Sequence, residues 1–155
     1  VGFLLPPYQK TTKRKAISRA KFFLFDIGVS NSLCQVTSLS PSTVRYGLCF
    51  EHFIILELRA YLSYKRRQEN LTFWKSQSGF EVDIVVGNKL AIEIKSADLI
   101  QARHLRGLKA LREEGQIERF AVISRDLHHR LVDGIDIYPW AEFLTKLWND
   151  EIINT

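Results

Sequence analysis

The stretch Gly79-Phe80-Glu81-Val82-Asp83-Ile84-Val85-Val86-Gly87-Asn88-Lys89-Leu90-Ala91-Ile92-Glu93-Ile94-Lys95-Ser96 decides how the chain folds. It holds two apolar runs rich in β-branched residues, so it predicts strands over Phe80 to Val86 and Leu90 to Ile94. Gly87-Asn88 between them is a two-residue hairpin signal. Charged residues stand inside both runs, where burial would be costly without a partner. Period two puts Glu81 and Asp83 on one face, and Glu93 and Lys95 on one face. In a hairpin the two polar faces can coincide, bringing two or three carboxylates and one ammonium together. That alternation fits two structures. One is an amphipathic hairpin whose polar face lies in solvent, laced by salt bridges. The other is a metal site. Crowded carboxylates repel, and a hard cation such as Mg²⁺, which takes oxygen ligands, relieves them. Such an ion polarises a phosphate and lowers the pKa of a bound water. A lysine two residues after a ligand would lie beside that water.

Upstream, Leu71 to Lys75 predicts a third strand. Before it, Val44 to about Arg67 carries the longest helical pattern. Leu48, Ile55, Leu58 and Leu62 form one stripe, and Phe50, Phe53, Ile54 and Tyr61 the next, so the helix is expected to be largely buried. Its closing cations, Lys65-Arg66-Arg67, suit a helix C-terminus. Glu51 and Glu57 interrupt the apolar arcs and each needs a cation or a site. Gly47 leaves room for a close neighbour. Downstream follow a helix over Gln101 to Glu113, strands over Phe120 to Ser124 and Ile135 to Tyr138, and a helix opened by Pro139. The order predicts an α/β fold, a central mixed sheet flanked by helices. Trp74, Trp140 and Trp148 fall in core patterns.

The start of the chain is different in kind. Gly2 to Tyr8 is a short apolar run stopped by Pro6-Pro7, Gln9 to Ala20 is a basic linker, and Phe22 to Phe25 predicts a short buried strand before a helix over Ile27 to Leu33 capped by Asp26. The expected organisation is a strand remnant and linker over 1–20, then one domain over 21–155. Lys10, Lys13, Arg14, Lys15, Arg19 and Lys21 all precede the first acidic residue, which fits either a solvated tail or a polyanion contact. The net charge of +5 permits nucleic-acid binding without requiring it. With 46% hydrophobic residues the chain is neither disordered nor collagen-like. No apolar run is long enough to span a membrane. The two cysteines, Cys34 and Cys49, read as free thiols of a reducing cytoplasm. The chain contains no Met and reads as a fragment or as a sequence that lost its start.

Taken in order, Gly47-x-x-x-Glu51, Glu81-x-Asp83 and Glu93-x-Lys95 resemble the PD-(D/E)xK nuclease superfamily, which includes the Holliday-junction resolvases. More of the chain is similar to the C-terminal domain of unknown function of prokaryotic AAA-type ATPases. The matching segments are Lys21 to Gly28, Gly47 to Glu51, Phe73-Trp74-Lys75-Ser76, Glu81-Val82-Asp83, Ile92 to Ser96, and Pro139 to Leu144. The resemblance implies a restriction-endonuclease-like fold and a catalytic set of Glu51, Asp83, Glu93 and Lys95. Asp83 and Glu93, with the Ile94 carbonyl, would ligate Mg²⁺; Lys95 would position the attacking water, and Glu81 would lie nearby. It implies DNA as substrate and an ATPase domain as partner, in the same polypeptide or another. Gln101 is followed by Leu105 rather than Tyr, unlike the exonuclease relatives. A fold relative can also keep its acidic residues and act as a non-catalytic module that binds DNA or a protein and regulates the ATPase.

Other chemistry is absent from the pattern. There is no P-loop and no Gly-x-Ser-x-Gly elbow. His52, His104, His128 and His129 lack zinc spacing, and His128-His129 reads as part of a basic surface loop. Arg103, Arg106 and Lys109 lie on the outer side of the helix after Glu-x-Lys and are the phosphate-contact candidates; a solvated helix face explains them equally.

Overall fold

The computed structural model describes residues 1–153; the last two residues of the expected 21–155 domain lie outside them. The expected hairpin forms. Strands β1 and β2 are Gly2–Leu5 and Lys21–Leu24, helices α1 and α2 are Ile27–Leu33 and Val44–Tyr64, and then come β3 Leu71–Lys75, β4 Glu81–Val86 and β5 Leu90–Ile94. Between β4 and β5 the Lys89 amide donates to the Val86 carbonyl, and Val86 pairs with Leu90, so the loop holds three residues, Gly87 to Lys89, one more than the Gly-Asn signal implied. Gly87 takes φ +54, a conformation that favours glycine. A 3₁₀ turn, Ala102–Leu105, leads into α3, Arg106–Arg112; β6 Arg119–Ser124, β7 Arg130–Val132, β8 Ile135–Pro139 and α4 Trp140–Trp148 follow.

Six strands form one sheet in the order β3-β4-β5-β6-β8-β7. The β3/β4, β4/β5 and β7/β8 pairs are antiparallel, and β5/β6 and β6/β8 are parallel. The sheet is mixed because the link from β5 to β6 crosses through α3, whereas the links among β3, β4 and β5 are short turns. One apolar cluster joins Ile54, Ile55 and Leu58 of α2, and Phe143 and Leu147 of α4, to Ile84, Ile92 and Ile123 of the sheet. The other joins Leu108 and Leu111 of α3 to Val82, Val85, Ala91 and Val122. Helices therefore cover both faces. This is the expected α/β class, a mixed sheet flanked by helices, and it is consistent with a restriction-endonuclease-like arrangement.

Strict alternation fails at one place. Thr72 pairs with Val85 and Trp74 pairs with Val82, so two steps along β3 match three along β4. The extra residue makes a bulge at Asp83–Ile84, a device that re-aims side chains beside sites. Val82 and Val85 consequently pack into the same cluster although they stand three positions apart.

The first twenty residues pack against the domain. β1 pairs antiparallel with β2 in a separate two-stranded sheet. Pro7 bridges Phe73, Ala16 bridges Ser76, and the Ile17 amide donates to the Lys75 carbonyl, so the segment runs along the outer edge of β3. The buried Glu114 carboxylate accepts the backbone amides of Thr12, Lys13 and Arg14. Several details differ from the sequence reading. Leu48 and Trp140, read as core positions, are exposed at 52% and 41%. The Phe22–Phe25 segment is not buried: Phe22 and Phe25 are exposed, because β2 has only β1 beside it. The long helix ends at Tyr64, and Lys65 and Arg67 pair beyond it with Asp150. Strand β7 carries no apolar signal strong enough to predict it; it exists by pairing with β8.

Candidate functional site

Ile84 of β4 faces Ile92 of β5, so the ladder ends where Asp83 and Glu93 come next. Both are buried, at 6% and 7% exposure. The Ile94 amide donates to Asp83 Oδ2 at 2.8 Å. Lys95 Nζ donates to Glu93 Oε1 at 2.6 Å, while the buried Glu93 Oε2 has no hydrogen-bond partner. Helix α2 contributes Glu51 from the facing layer. Strand β2 contributes Lys21, whose Nζ lies 2.7 Å from Glu81 Oε1, 3.8 Å from Glu51 Oε1 and 4.8 Å from the Phe73 ring centroid. Lys75 of β3 reaches Glu81 Oε2 at 3.2 Å. Four carboxylates and three ammoniums thus meet at the end of the central hairpin.

The electrostatics follow from that crowding. Burial, then the charge of Asp83, pushes Glu93 up to about 8 against the pull of Lys95. Burial and Asp83 likewise push Glu51 up to about 7. Burial raises Asp83 too, although Lys95 and the Ile94 amide oppose it. Glu81 behaves oppositely: burial raises it, but Lys21 and Lys75 outweigh burial and hold it below the usual range. Burial disfavours the ammoniums of Lys95 and Lys21, and the surrounding carboxylates overcome it and raise both.

The candidates Glu51, Asp83, Glu93 and Lys95 therefore share one electrostatic neighbourhood. Among the described residues no group of three or more His, Cys, Asp or Glu side chains is drawn together as a ligand set. Lys21 and Lys75 pair with Glu81, Lys21 also lies near Glu51, and Lys95 pairs with Glu93. The donor chemistry nevertheless fits a hard divalent ion. Asp83 and Glu93 are adjacent oxygen donors, and Glu93 Oε2 is a buried carboxylate oxygen with nothing to bond.

Of the phosphate-contact candidates, Arg103 and Arg106 are exposed, whereas Lys109 is ion-paired with Asp133. His104, between Arg103 and Leu105, is held below its usual range by burial, then by the charges of Arg103 and Lys95. Part of the basic N-terminus is used internally: Arg14 pairs with Glu113 and Glu114. Glu57 accepts from Trp148 Nε1 at 3.0 Å, so its partner is an indole. Where a Cβ on Gly47 would sit, the Ser96 hydroxyl is 3.4 Å away, a close approach between α2 and the segment after β5. His129 pairs with Asp136 and stacks on Tyr138. Cys34 and Cys49 are free thiols. Lys21 and Lys75 are the site residues that counting acids and bases missed. Lys21 was hidden in a basic run, and only the Lys21-to-Gly28 segment of the family pattern marked it.

Fold and site define a mixed α/β domain with a buried acidic centre bracketed by lysines. The chain belongs to the family described as a domain of unknown function (DUF4143), whose model matches residues 46–143. Neither the search of curated proteins nor that of solved structures gives a match. No helix among the described residues is long and apolar enough to cross a membrane.

Proposed function

We propose that the domain is a metal-dependent, PD-(D/E)xK-type nuclease module that hydrolyses DNA phosphodiesters and serves as the C-terminal part of an AAA-type ATPase. The observation that carries this reading is the unpartnered, buried Glu93 Oε2 beside Asp83. A buried oxygen so placed takes either a proton or a cation, and Lys95 satisfies only the other oxygen; a divalent ion would take the proton's place.

Asp83 and Glu93, with the Ile94 carbonyl, would hold Mg²⁺. When bound, the ion supplies the charge that polarises the phosphate and makes an attacking water acidic. The Ile94 amide fixes the Asp83 carboxylate. Lys95, bonded to Glu93, orients the water for attack on phosphorus. Glu51 closes the carboxylate wall from α2. Arg103, in the 3₁₀ turn, and Arg106, at the start of α3, take neighbouring phosphates.

The test compares wild type with Lys95→Ala and Glu93→Ala on supercoiled, branched and single-stranded DNA with Mg²⁺ or Mn²⁺, in the domain and in the ATPase that carries it. Lys95→Ala should stay folded and bind DNA but lose cleavage, because the metal neutralises the acids in its place. Wild type that never nicks DNA, with both variants merely less stable, refutes the nuclease reading.

A second reading is a binding module that regulates the ATPase without turnover. The ion pairing of Lys21, Lys75 and Lys95 favours it, since these lysines already neutralise most of the acids without metal.

A further inference from the structure

A cleft of about 820 Å³ opens beside the acidic centre, between β2, α1 and the first turns of α2. Its floor and rim share Lys21, Glu51 and Glu81 with that centre, so the two are continuous. The rest of its wall is largely apolar. Phe22 and Leu48 line it and stay 60% and 52% exposed, and Leu33 stands at its edge, also exposed. Such side chains on three separate elements do not complete a core; they wait for a ligand. The Phe22 ring packs over Gly2, where a Cβ would sit 2.4 Å from the ring's Cζ atom. The volume lies within the roughly 300–1,000 Å³ of pockets that bury a drug-sized ligand.

The chemistry of the two compartments differs, and the ligand must match both. At the acidic end Lys21 already faces the carboxyl groups of both Glu51 and Glu81. Arg45 adds a second cation to the cleft wall, held there by Asn31 and Ser30. A molecule with an anionic group at the acidic centre and a flat, weakly polar body next to it fills this shape. A nucleotide whose base has left its stack is such a molecule. A paired base cannot enter a cleft without unstacking.

Resting on the nuclease reading above, we infer that the cleft is a nucleobase subsite. It takes one unstacked base against Phe22 and Leu48 while the adjoining phosphate lies at Lys21 and the acidic centre. The substrate class is then single-stranded nucleic acid, or duplex with unpaired nucleotides. Base–aromatic stacking is sequence-tolerant, so the subsite selects strand state and not sequence.

Binding, measured with Ca²⁺ in place of Mg²⁺, separates this from the nuclease reading. The probes are a fluorescent single-stranded oligonucleotide and the blunt duplex of the same sequence. The variants are Phe22→Ala and Leu48→Ala, both at exposed positions, each checked by melting temperature. Wild type should bind the single strand about tenfold or more tightly than the duplex. Phe22→Ala should weaken single-strand binding by roughly tenfold and leave duplex binding unchanged, with Leu48→Ala acting in the same direction. Equal affinity for both probes, no binding to either, or variants that bind the single strand as wild type does, overturns the subsite. So does concentration-dependent self-association that Leu48→Ala abolishes, because a second copy would then be the occupant. Loss of single-strand binding in Phe22→Ala without any cleavage by wild type keeps the subsite and removes the nuclease. Cleavage that is indifferent to Phe22 and Leu48 does the reverse.

Discussion

Replacing Gly107 by alanine pits two effects of known sign against each other, and the structure decides which is larger. Gly107 lies in the first turn of α3, where alanine gains about 0.5–1 kcal/mol of helix propensity over glycine. A Cβ at that position would sit 2.0 Å from the Glu81 carbonyl oxygen and 3.0 Å from its carbon. Carbon–oxygen contacts are comfortable at about 3.3–3.6 Å, so α3 and β4 must separate by more than about 1 Å. Both partners in the clash are backbone, and neither can rotate aside. An overlap of more than about 1 Å between backbones puts the overpacking cost in the upper part of the usual range, about 2–3 kcal/mol, so against about 1 kcal/mol of propensity sterics win by about 1–2 kcal/mol. For a chain of this length that lowers the melting temperature by roughly 2–8 °C. The strand that moves carries Glu81 and Asp83, so any metal-induced stabilisation should shrink as well. Gly47→Ala is the control. Its new methyl would meet only the Ser96 hydroxyl, at 3.4 Å, and a small shift of that group relieves the contact, so the melting temperature should hold or rise slightly. Calorimetry of the three proteins in one buffer is the assay. A Gly107→Ala protein that melts at or above wild type refutes the close packing of α3 on β4.

Millimolar Mg²⁺ or Mn²⁺ should raise the melting temperature through preferential binding to the folded state, and Asp83→Asn should remove most of that rise. In a chelating buffer, stability should fall as pH increases from about 5 to 8. Glu51 and Glu93 titrate near 7 and 8 when folded and near ordinary carboxylate values when unfolded. Their contribution is thus fully present at acid pH and lost as each ionises in the folded protein; denaturant midpoints that are flat or rising over that window would contradict the burial of these groups. DNA binding should weaken steeply with salt, and Arg103→Ala with Arg106→Ala should reduce the slope; an unchanged slope in a filter-binding titration would clear that face of any phosphate contact.

The central hairpin was legible because its signals are local. Turn residues, β-branched runs and their spacing lie within eighteen consecutive positions, and the structure forms both strands and the turn where expected. The neighbourhood of Glu51, Asp83, Glu93 and Lys95 was legible for a related reason: charge on a buried strand has few explanations. What was not legible depends on contacts between distant segments. The bulge at Asp83 is visible only in the register of β4 against β3. Pro7 and Ala16 look like linker residues, yet they bridge to β3 and its flank because that edge of the sheet has unpaired backbone groups. Strand β7 has too little apolar character to register alone and is fixed by β8. The exposure of Phe22 could not be read either, since a run of Phe-Phe-Leu-Phe looks the same in a core strand and beside a cleft.

Charge balance connects these missed contacts to the site. Glu51, Glu81, Asp83 and Glu93 bring four negative charges when fully ionised, and Lys21, Lys75 and Lys95 bring three positive ones. Near neutral pH, partial protonation of Glu51 and Glu93, which burial and Asp83 push upward, offsets the excess of one negative charge, while Glu81, held by two lysines, stays ionised. A divalent ion would displace those protons and leave one net positive charge, the sign a phosphodiester requires. Without Lys21 the loaded site would be neutral. Lys21 reaches Glu51 and Glu81 only because β1 pairs with β2 and the first twenty residues are bonded along β3. The segment that reads as a remnant and a linker therefore positions Lys21, whose charge would set the sign of the site if a divalent ion were bound, and the same strand carries the exposed Phe22.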